Sequence, residues 1–340
     1  MTEPENSNHS PFLFELSGEH PTLPSAEALA CVEAESRTSY RLASGNGYEI
    51  IDFETSSVSA VADRIALTHR IGRYLGACDL PELERFLSDL MLPEGSISVR
   101  AKRVEKSQLD IEIPWLTRKC GSMLTKGRTV DLENPDVLVR ILVSDRLLFY
   151  ICDFEVDRKQ FEIRKVGERP FFSPISLHPR YARTLVNLTR VRRGQTILDP
   201  FCGTGGILIE ASIIGAKVLG SDIAEDMTRG CVANLNHFHA PFERIDVSDI
   251  GDIASVFDEV DVIATDPPYG RSASLWKEGK SSLYSRAMDA FVSTVRSGGR
   301  VGVVFPEPLD HPRNELLETE CHVQRVHRSL SRHYFIFTRK

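Results

Sequence analysis

The sequence predicts an α/β chain with a mostly parallel sheet in its C-terminal half and an α+β region in front of it. Three observations predict this. Beyond residue 190, short β-branched segments alternate with helical stretches, the pattern of parallel strands joined by crossover helices. A glycine-rich turn at 203–206 follows the first of those strands, where such sheets open a ligand crevice. The 340 residues also exceed the ~250–300 at which a single hydrophobic core stops growing, so more than one domain is expected.

The elements follow in chain order. Residues 1–10 are polar and acidic and read as a frayed tail. Residues 11–95 read as an α+β subdomain, with strands at 12–16 and 48–53 and a helix at 25–35. Residues 58–75 have apolar positions near helical spacing and predict a second helix. A further α+β domain is expected over 96–160. It holds a strand at 96–101, a basic helix at 115–124, and a hairpin over 137–153 turning at Ser144-Asp145. Asn134-Pro135-Asp136 is a turn before that hairpin. Residues 161–178 contain Arg169-Pro170-Phe171-Phe172-Ser173-Pro174; proline removes a donor and restricts its predecessor, so this stretch predicts a linker. The last domain spans 179–340, with strands at 196–198, 217–221, 242–247, 260–265, 300–305 and 333–338. Its helices are expected at 205–214, 226–238 and 283–295.

Composition narrows the class. The start carries no basic or apolar leader, and no apolar run reaches the ~18 residues that span a bilayer, so a cytoplasmic location is expected. Seven scattered cysteines without a Cys-x-x-Cys pair argue against a disulfide framework or a zinc knuckle, and no metal site is expected. The net charge is −7, yet it is unevenly spread: residues 1–90 carry 6 basic and 15 acidic groups. Residues 97–128 carry Arg100, Lys102, Arg103, Lys106, Arg118, Lys119, Lys126 and Arg128 against three acids. Residues 178–193 add five arginines and no acid. Local basic clusters are what a phosphate backbone responds to, because screening limits the reach of charge to ~10 Å; a solvated face is the competing reading.

The chemistry lies in two segments. In Asp199-Pro200-Phe201-Cys202-Gly203-Thr204-Gly205-Gly206, glycines allow a sharp turn and close backbone approach to a ligand. The lysine of a phosphate loop is absent. Asp199 would repel a pyrophosphate and attract a cationic amino group. Asp222, some 20 residues on, can accept from two ribose hydroxyls, with Ile223 beside it. Asp249 is placed to accept from an adenine amino group; Asp246 competes for that role, and Asp249 is preferred because it opens the next helix. The predicted cofactor set is therefore Asp199, Cys202, Gly203, Thr204, Gly205, Asp222, Ile223 and Asp249, and it suits S-adenosyl-L-methionine.

The second segment is Asp266-Pro267-Pro268-Tyr269-Gly270, at the carboxyl end of a strand. An exocyclic amino nitrogen on a base is a poor nucleophile, since its lone pair is delocalised into the ring. It needs acceptors that orient its N–H groups. The Asp266 carboxylate is one. The Pro267 carbonyl is a second, because Pro267-Pro268 fixes φ twice and donates no competing N–H. Tyr269 offers a face on which an unstacked base can lie. A proline-rich turn ending a strand is the bland alternative. With the glycine loop upstream, the two segments predict a methyltransferase acting on an amino group.

Thr265 through Ser272, the Arg169–Pro174 stretch and Leu177-His178-Pro179-Arg180 resemble the archaeal and eukaryotic tRNA guanine-N2 methyltransferases that modify guanosine 10. Leu132-Glu133-Asn134-Pro135-Asp136-Val137 is similar to the signature of their THUMP module. The resemblance implies a class I Rossmann-like methyltransferase domain behind a THUMP-type RNA-binding region, with tRNA as partner. It implies that Asp266 meets the guanine amino group. It gives the basic residues Arg100, Lys102, Arg103, Arg118, Lys119, Lys126, Arg128 and Arg271 an RNA-binding role. Some relatives work with a small zinc-binding activator subunit. Two other readings stay open on the residues alone: an N6-adenine methyltransferase on RNA or DNA, and a catalytically silent RNA-binding protein.

Overall fold

A computed structural model describes residues 9–173, 176–268, 279–308, 313–328 and 330–340. The chain divides into two compact units, Met1–Asp157 and Arg158–Lys340.

The first unit runs β1 (His9–Leu16), α1 (Leu23–Glu35), β2 (Ser39–Gly45), β3 (Tyr48–Glu54), α2 (Val58–Arg64), β4 (Thr68–Cys78), α3 (Leu83–Asp89), β5 (Ile97–Arg103), α4 (Ile113–Leu124), β6 (Val137–Val143) and β7 (Leu147–Glu155). Its seven strands form one sheet in the order β2-β3-β1-β4-β7-β6-β5. Strand alternation sends successive side chains to opposite faces. Phe12 and Phe14 thus pack with Cys31 and Val32 of α1 and Val61 of α2. Val139 and Ile141 pack with Leu116 and Cys120 of α4. The other face carries Leu13, Tyr48, Ile50, Leu142 and Tyr150.

This sheet corrects three expectations. The 58–75 helix ends at Arg64, and its second half is β4. The reason is tertiary: β4 is hydrogen-bonded on both sides, to β1 and to β7. Gly72 lies so close to β7 that a Cβ there would sit 2.0 Å from the Ile151 carbonyl oxygen. The boundary expected at 95/96 is absent, since β4 from one proposed domain pairs β7 from the other. Of the frayed tail expected over 1–10, residues 1–8 lie outside the described residues, while His9 and Ser10 belong to β1 and pair with Glu54 and Phe53.

The second unit opens with two 3-10 turns at Arg158–Arg164 and Val166–Glu168. It continues α5 (Pro179–Leu188), β8 (Thr196–Asp199), α6 (Gly206–Ile213), β9 (Lys217–Asp222), α7 (Glu225–His237), β10 (Arg244–Val247), α8 (Ile253–Val256), β11 (Val260–Thr265), α9 (Lys280–Thr294), β12 (Val295–Phe305), β13 (Leu316–His327) and β14 (Leu330–Arg339). The strand order is β10-β9-β8-β11-β12-β14-β13. The first five strands are parallel, and β14 and β13 run antiparallel. This is a Rossmann-like sheet. Sequence reading did not anticipate β13, whose alternating polar residues are mostly exposed.

The expected 161–178 linker is instead part of this unit. Phe161 is fully buried, and Arg164 donates to Glu210 of α6 at 2.7 and 3.2 Å. Arg183 of α5 reaches the same carboxylate at 2.8 Å. Phe161 lies under both guanidinium groups, at 5.2 and 5.6 Å. The second basic cluster is thereby explained in part by packing: Arg183 is 0% exposed, and Arg190 pairs with Glu320 at 3.1 Å.

Candidate active site

The chain leaves β8 to build β9 and β10 on one side, then crosses to build β11 and β12 on the other. Strand order reverses between β8 and β11, and open α/β sheets bind ligands at that switch, outside the carboxyl ends of the strands. The two ends carry Asp199 and Asp266.

Asp199 is buried. Its Oδ1 accepts from the Phe201 amide at 3.1 Å and from the Thr265 hydroxyl at 2.6 Å. That second bond ties the ends of β8 and β11 together. Gly203 and Gly205 then turn the loop with φ of +48° and +79°, a region that only glycine enters at little cost. A Cβ on Gly205 would also lie 2.8 Å from the Cys231 sulfur of α7. Asp222, at the end of β9, accepts from the Gly203 amide at 3.0 Å and the Ala224 amide at 3.0 Å. It therefore fixes the loop as well as facing the crevice. Ile223 beside it is 37% exposed.

Other predicted residues have internal partners. The Cys202 thiol is buried and hydrogen-bonded with Cys231, and that bond together with burial pushes it well above its ordinary pKa. It is thus an unreactive thiol. Thr204 accepts from Arg169 at 3.0 Å and meets the Ser176 hydroxyl at 3.3 Å. Asp249 caps the turn after β10, accepting from the Gly251 amide at 2.9 Å, and is paired with Arg286 of α9. Asp246 pairs with Arg244 at 2.5 Å.

Asp266 differs from these. Its Oδ1 is buried and has no hydrogen-bond partner among the described residues. Burial pushes its carboxyl up to about 7, with Arg332 of β14 pulling the other way. Burial likewise pushes Asp199 up to about 7, helped by the nearby Asp266 and Asp222 charges. Burial raises Asp222 too. Pro267 is buried, and the Pro268 carbonyl accepts from Tyr284 of α9 at 3.3 Å. Tyr269 and Arg271 lie outside the described residues.

Three crowded carboxylates at the carboxyl ends of neighbouring strands, one with a buried oxygen that has no partner among the described residues, suit a ligand that brings positive charge and N–H donors. They do not suit a phosphate. Two residues that sequence reading missed hold the loop. Arg169, 5% exposed, bonds Thr204 and also donates to the Arg164 carbonyl at 3.1 Å. Asn234 of α7 clamps the Phe171 backbone at 2.9 and 2.7 Å and donates to the Thr204 carbonyl at 2.9 Å. Gly230 admits the Phe171 ring where a Cβ would lie 2.0 Å from it. The Arg-Pro-Phe-Phe stretch was the available signal for these contacts.

In the first unit, several predicted RNA-binding residues make internal bonds. Arg100 donates to the Leu132 carbonyl at 2.6 Å, and Arg103 to the Ile111 carbonyl. Arg128 donates to the Pro93 and Gly95 carbonyls, Lys119 pairs with Glu84, and Lys102 reaches Glu15 at 2.6 Å. Arg118 and Lys126 are exposed.

Residues 166–331 match a family described as RMKL-like, methyltransferase domain. The chain is 36% identical to a tRNA (guanine(10)-N2)-dimethyltransferase of Methanothermobacter thermautotrophicus, covering 93% of this chain and 96% of that one. It is 35% identical to a protein of the same name from Pyrococcus abyssi, covering 96% and 98%. Its fold is similar to the crystal structure of TrmN from Thermus thermophilus, with a TM-score of 0.56 at 22% identity over 97% of this chain and 100% of that one.

Proposed function

This chain belongs to the tRNA (guanine(10)-N2)-dimethyltransferase family, and on that premise we propose that it methylates the exocyclic N2 of a guanosine in tRNA, at position 10, using S-adenosylmethionine. The observation that carries the reading is the buried Asp266 Oδ1 at the strand-order switch, beside Asp199, with no hydrogen-bond partner among the described residues.

The residues fit the cofactor. Asp199 and Asp222 present carboxylates where a methionine amino group and ribose hydroxyls need acceptors, and Gly203 and Gly205 admit close approach. The cofactor supplies an electrophilic methyl group on a sulfonium. This chain's residues supply orientation. Asp266 accepts one N–H of the guanine amine and the Pro267 carbonyl the other, turning the nitrogen lone pair out of the ring plane. Asp266 then takes the proton released as the amine becomes secondary. Most of the rate is expected from positioning and electrostatics. For Tyr269, stacking on the unstacked base is proposed from the sequence alone.

Digestion of tRNA after incubation with the pure chain and labelled cofactor should yield N2-methylated guanosine from a fragment containing position 10. N6-methyladenosine in its place would overturn the reading.

The carboxylates set a pH dependence. Asp199 and Asp266 sit near 7 in the cofactor-free chain, well above the ordinary carboxylate value. Their raised values favour the folded state most below the unfolded pKa. That contribution is lost as pH rises through about 7, so thermal stability of the free chain should fall from pH 5 to pH 7.5. A cationic cofactor selects the ionised forms. Its affinity should therefore rise ~10-fold per pH unit for each proton released, levelling off above ~7. Calorimetry in two buffers of different ionisation enthalpy reads the proton release directly. Affinity that weakens towards neutral pH, or binding with no proton released, would contradict it.

A further inference from the structure

The first unit holds an open concavity of about 650 Å³, lined among others by His69 and Arg70 of β4, Arg100 and Lys102 of β5, Thr117 of α4 and Arg140 of β6. Three of these cations share one partner, Glu15 of β1, which is 1% exposed. Its carboxylate takes Lys102 at 2.6 Å, Arg70 at 3.4 Å, Arg140 at 3.6 Å and the Tyr150 hydroxyl at 2.7 Å. Burial works against this charge, but the surrounding cations and Tyr150 outweigh it and hold the group down at about 2. Glu15 is ionised at any physiological pH.

Three cations around one buried carboxylate, with Arg100 also lining the concavity, leave an excess of positive charge, which Glu155 on the outer end of Arg70 reduces. The excess is concentrated. Arg100 and Arg140 are direct partners across the β5–β6 pair, and like charges so placed repel. Donors are also left over. The Arg70 Nε is buried without a hydrogen-bond partner among the described residues. Arg140 is 7% exposed, and among the described residues its one ion pair is the 3.6 Å contact with Glu15. Unsatisfied buried guanidinium donors are costly unless an acceptor arrives. An acceptor with several oxygens and negative charge satisfies forks converging from three strands; phosphate has that shape. The concavity's volume is in the ~300–1,000 Å³ range of small-ligand sites, enough for a phosphate with its attached nucleoside.

We propose that this concavity is a phosphate-binding site for the RNA substrate, with Glu15 as the strut that gathers Arg70, Lys102 and Arg140 so that their remaining donors face one phosphate. The proposal rests on tRNA being the substrate.

The test is tRNA binding by the full chain across a range of salt concentrations, with tRNA KM and kcat measured alongside. Each lost phosphate contact should lower the slope of log affinity against log salt by about 0.9. Arg100→Gln with Lys102→Gln, both at the rim, should lower that slope by one to two contacts' worth and raise KM for tRNA tenfold or more. The kcat at saturating tRNA and the cofactor affinity should not move. Glu15→Gln separates a built site from a merely basic surface. It makes the chain more positive, so a basic surface would bind tRNA more tightly, whereas a site that needs its strut binds more weakly. Arg85→Gln, an exposed cation of α3 outside the concavity, should leave the slope unchanged. Unchanged slopes in the rim variants, with tRNA still bound and methylated, overturn the site and leave the substrate reading standing. If the wild-type chain binds no tRNA, the substrate reading fails instead. The site is then judged by millimolar inorganic phosphate, which should move the side-chain N–H resonances of Arg70 and Arg140; their failure to move overturns it too.

Discussion

Asp266→Ala should lower single-turnover methyl transfer by ~10²–10³-fold or more, the size of effect seen when one preorganised polar contact to a reacting group is removed. Cofactor affinity should stay within a few-fold, because Asp199 and Asp222 face the cofactor and Asp266 faces the amine. The variant should also be at least as thermally stable as the wild type at neutral pH. A buried carboxylate oxygen with no partner among the described residues is a cost in the folded chain, and removing it relieves that cost. Loss of activity with retained or increased stability separates a functional group from a structural one. Asp266→Asn adds a second distinction. It keeps an acceptor oxygen but cannot take up a proton as a carboxylate does. It should therefore retain more activity than Asp266→Ala. If both variants lose cofactor binding together with turnover, Asp266 serves the cofactor and the assignment is wrong.

The site could be read from sequence where its parts are local. A glycine turn after a strand and an Asp-Pro-Pro step after another are each contained in a few residues, and strand order at the sheet centre brings them together. The residues that tune the site are not local. Thr265 bonds Asp199 from 66 positions away, and Asn234 holds Phe171 from 63. Nothing in composition marks an asparagine in mid-helix as a clamp. The 58–75 segment failed for a related reason. Its apolar spacing fits a helix in isolation, yet pairing on both edges makes it a strand, and tertiary contacts override local preference. Charge was the least legible feature. Counting arginines over 178–193 marked a basic cluster, whereas Arg183 is buried against a carboxylate. The 97–128 cluster in turn did not include Arg70 and Arg140, which burial, not sequence proximity, brings to Lys102.

Glu210→Ala should destabilise the second unit by about 3–5 kcal/mol, the range for breaking a buried ion pair from one side. Glu210 is 1% exposed and is held by Arg164, from the segment sequence reading took for a linker, and by Arg183 of α5, which is 0% exposed. Removing the carboxylate strands two guanidinium groups in the core. For a unit of this size that corresponds to a fall in melting temperature of roughly 6–20 °C. Glu210→Gln keeps the volume and should recover only a minor part, since a neutral amide cannot compensate either charge. The consequence reaches the site through one further link. The Arg164 carbonyl accepts from Arg169, which in turn holds Thr204 in the cofactor loop at 3.0 Å. Below its lowered melting point, Glu210→Gln should therefore bind the cofactor more weakly than wild type while its rate at saturating cofactor is little changed. Calorimetric melting with cofactor titration at a permissive temperature checks both parts. A melting temperature within two degrees of wild type for both variants would mean the arginines find other partners. Equal cofactor affinity in a clearly destabilised Glu210→Gln would mean that the loop is set by Asn234 alone.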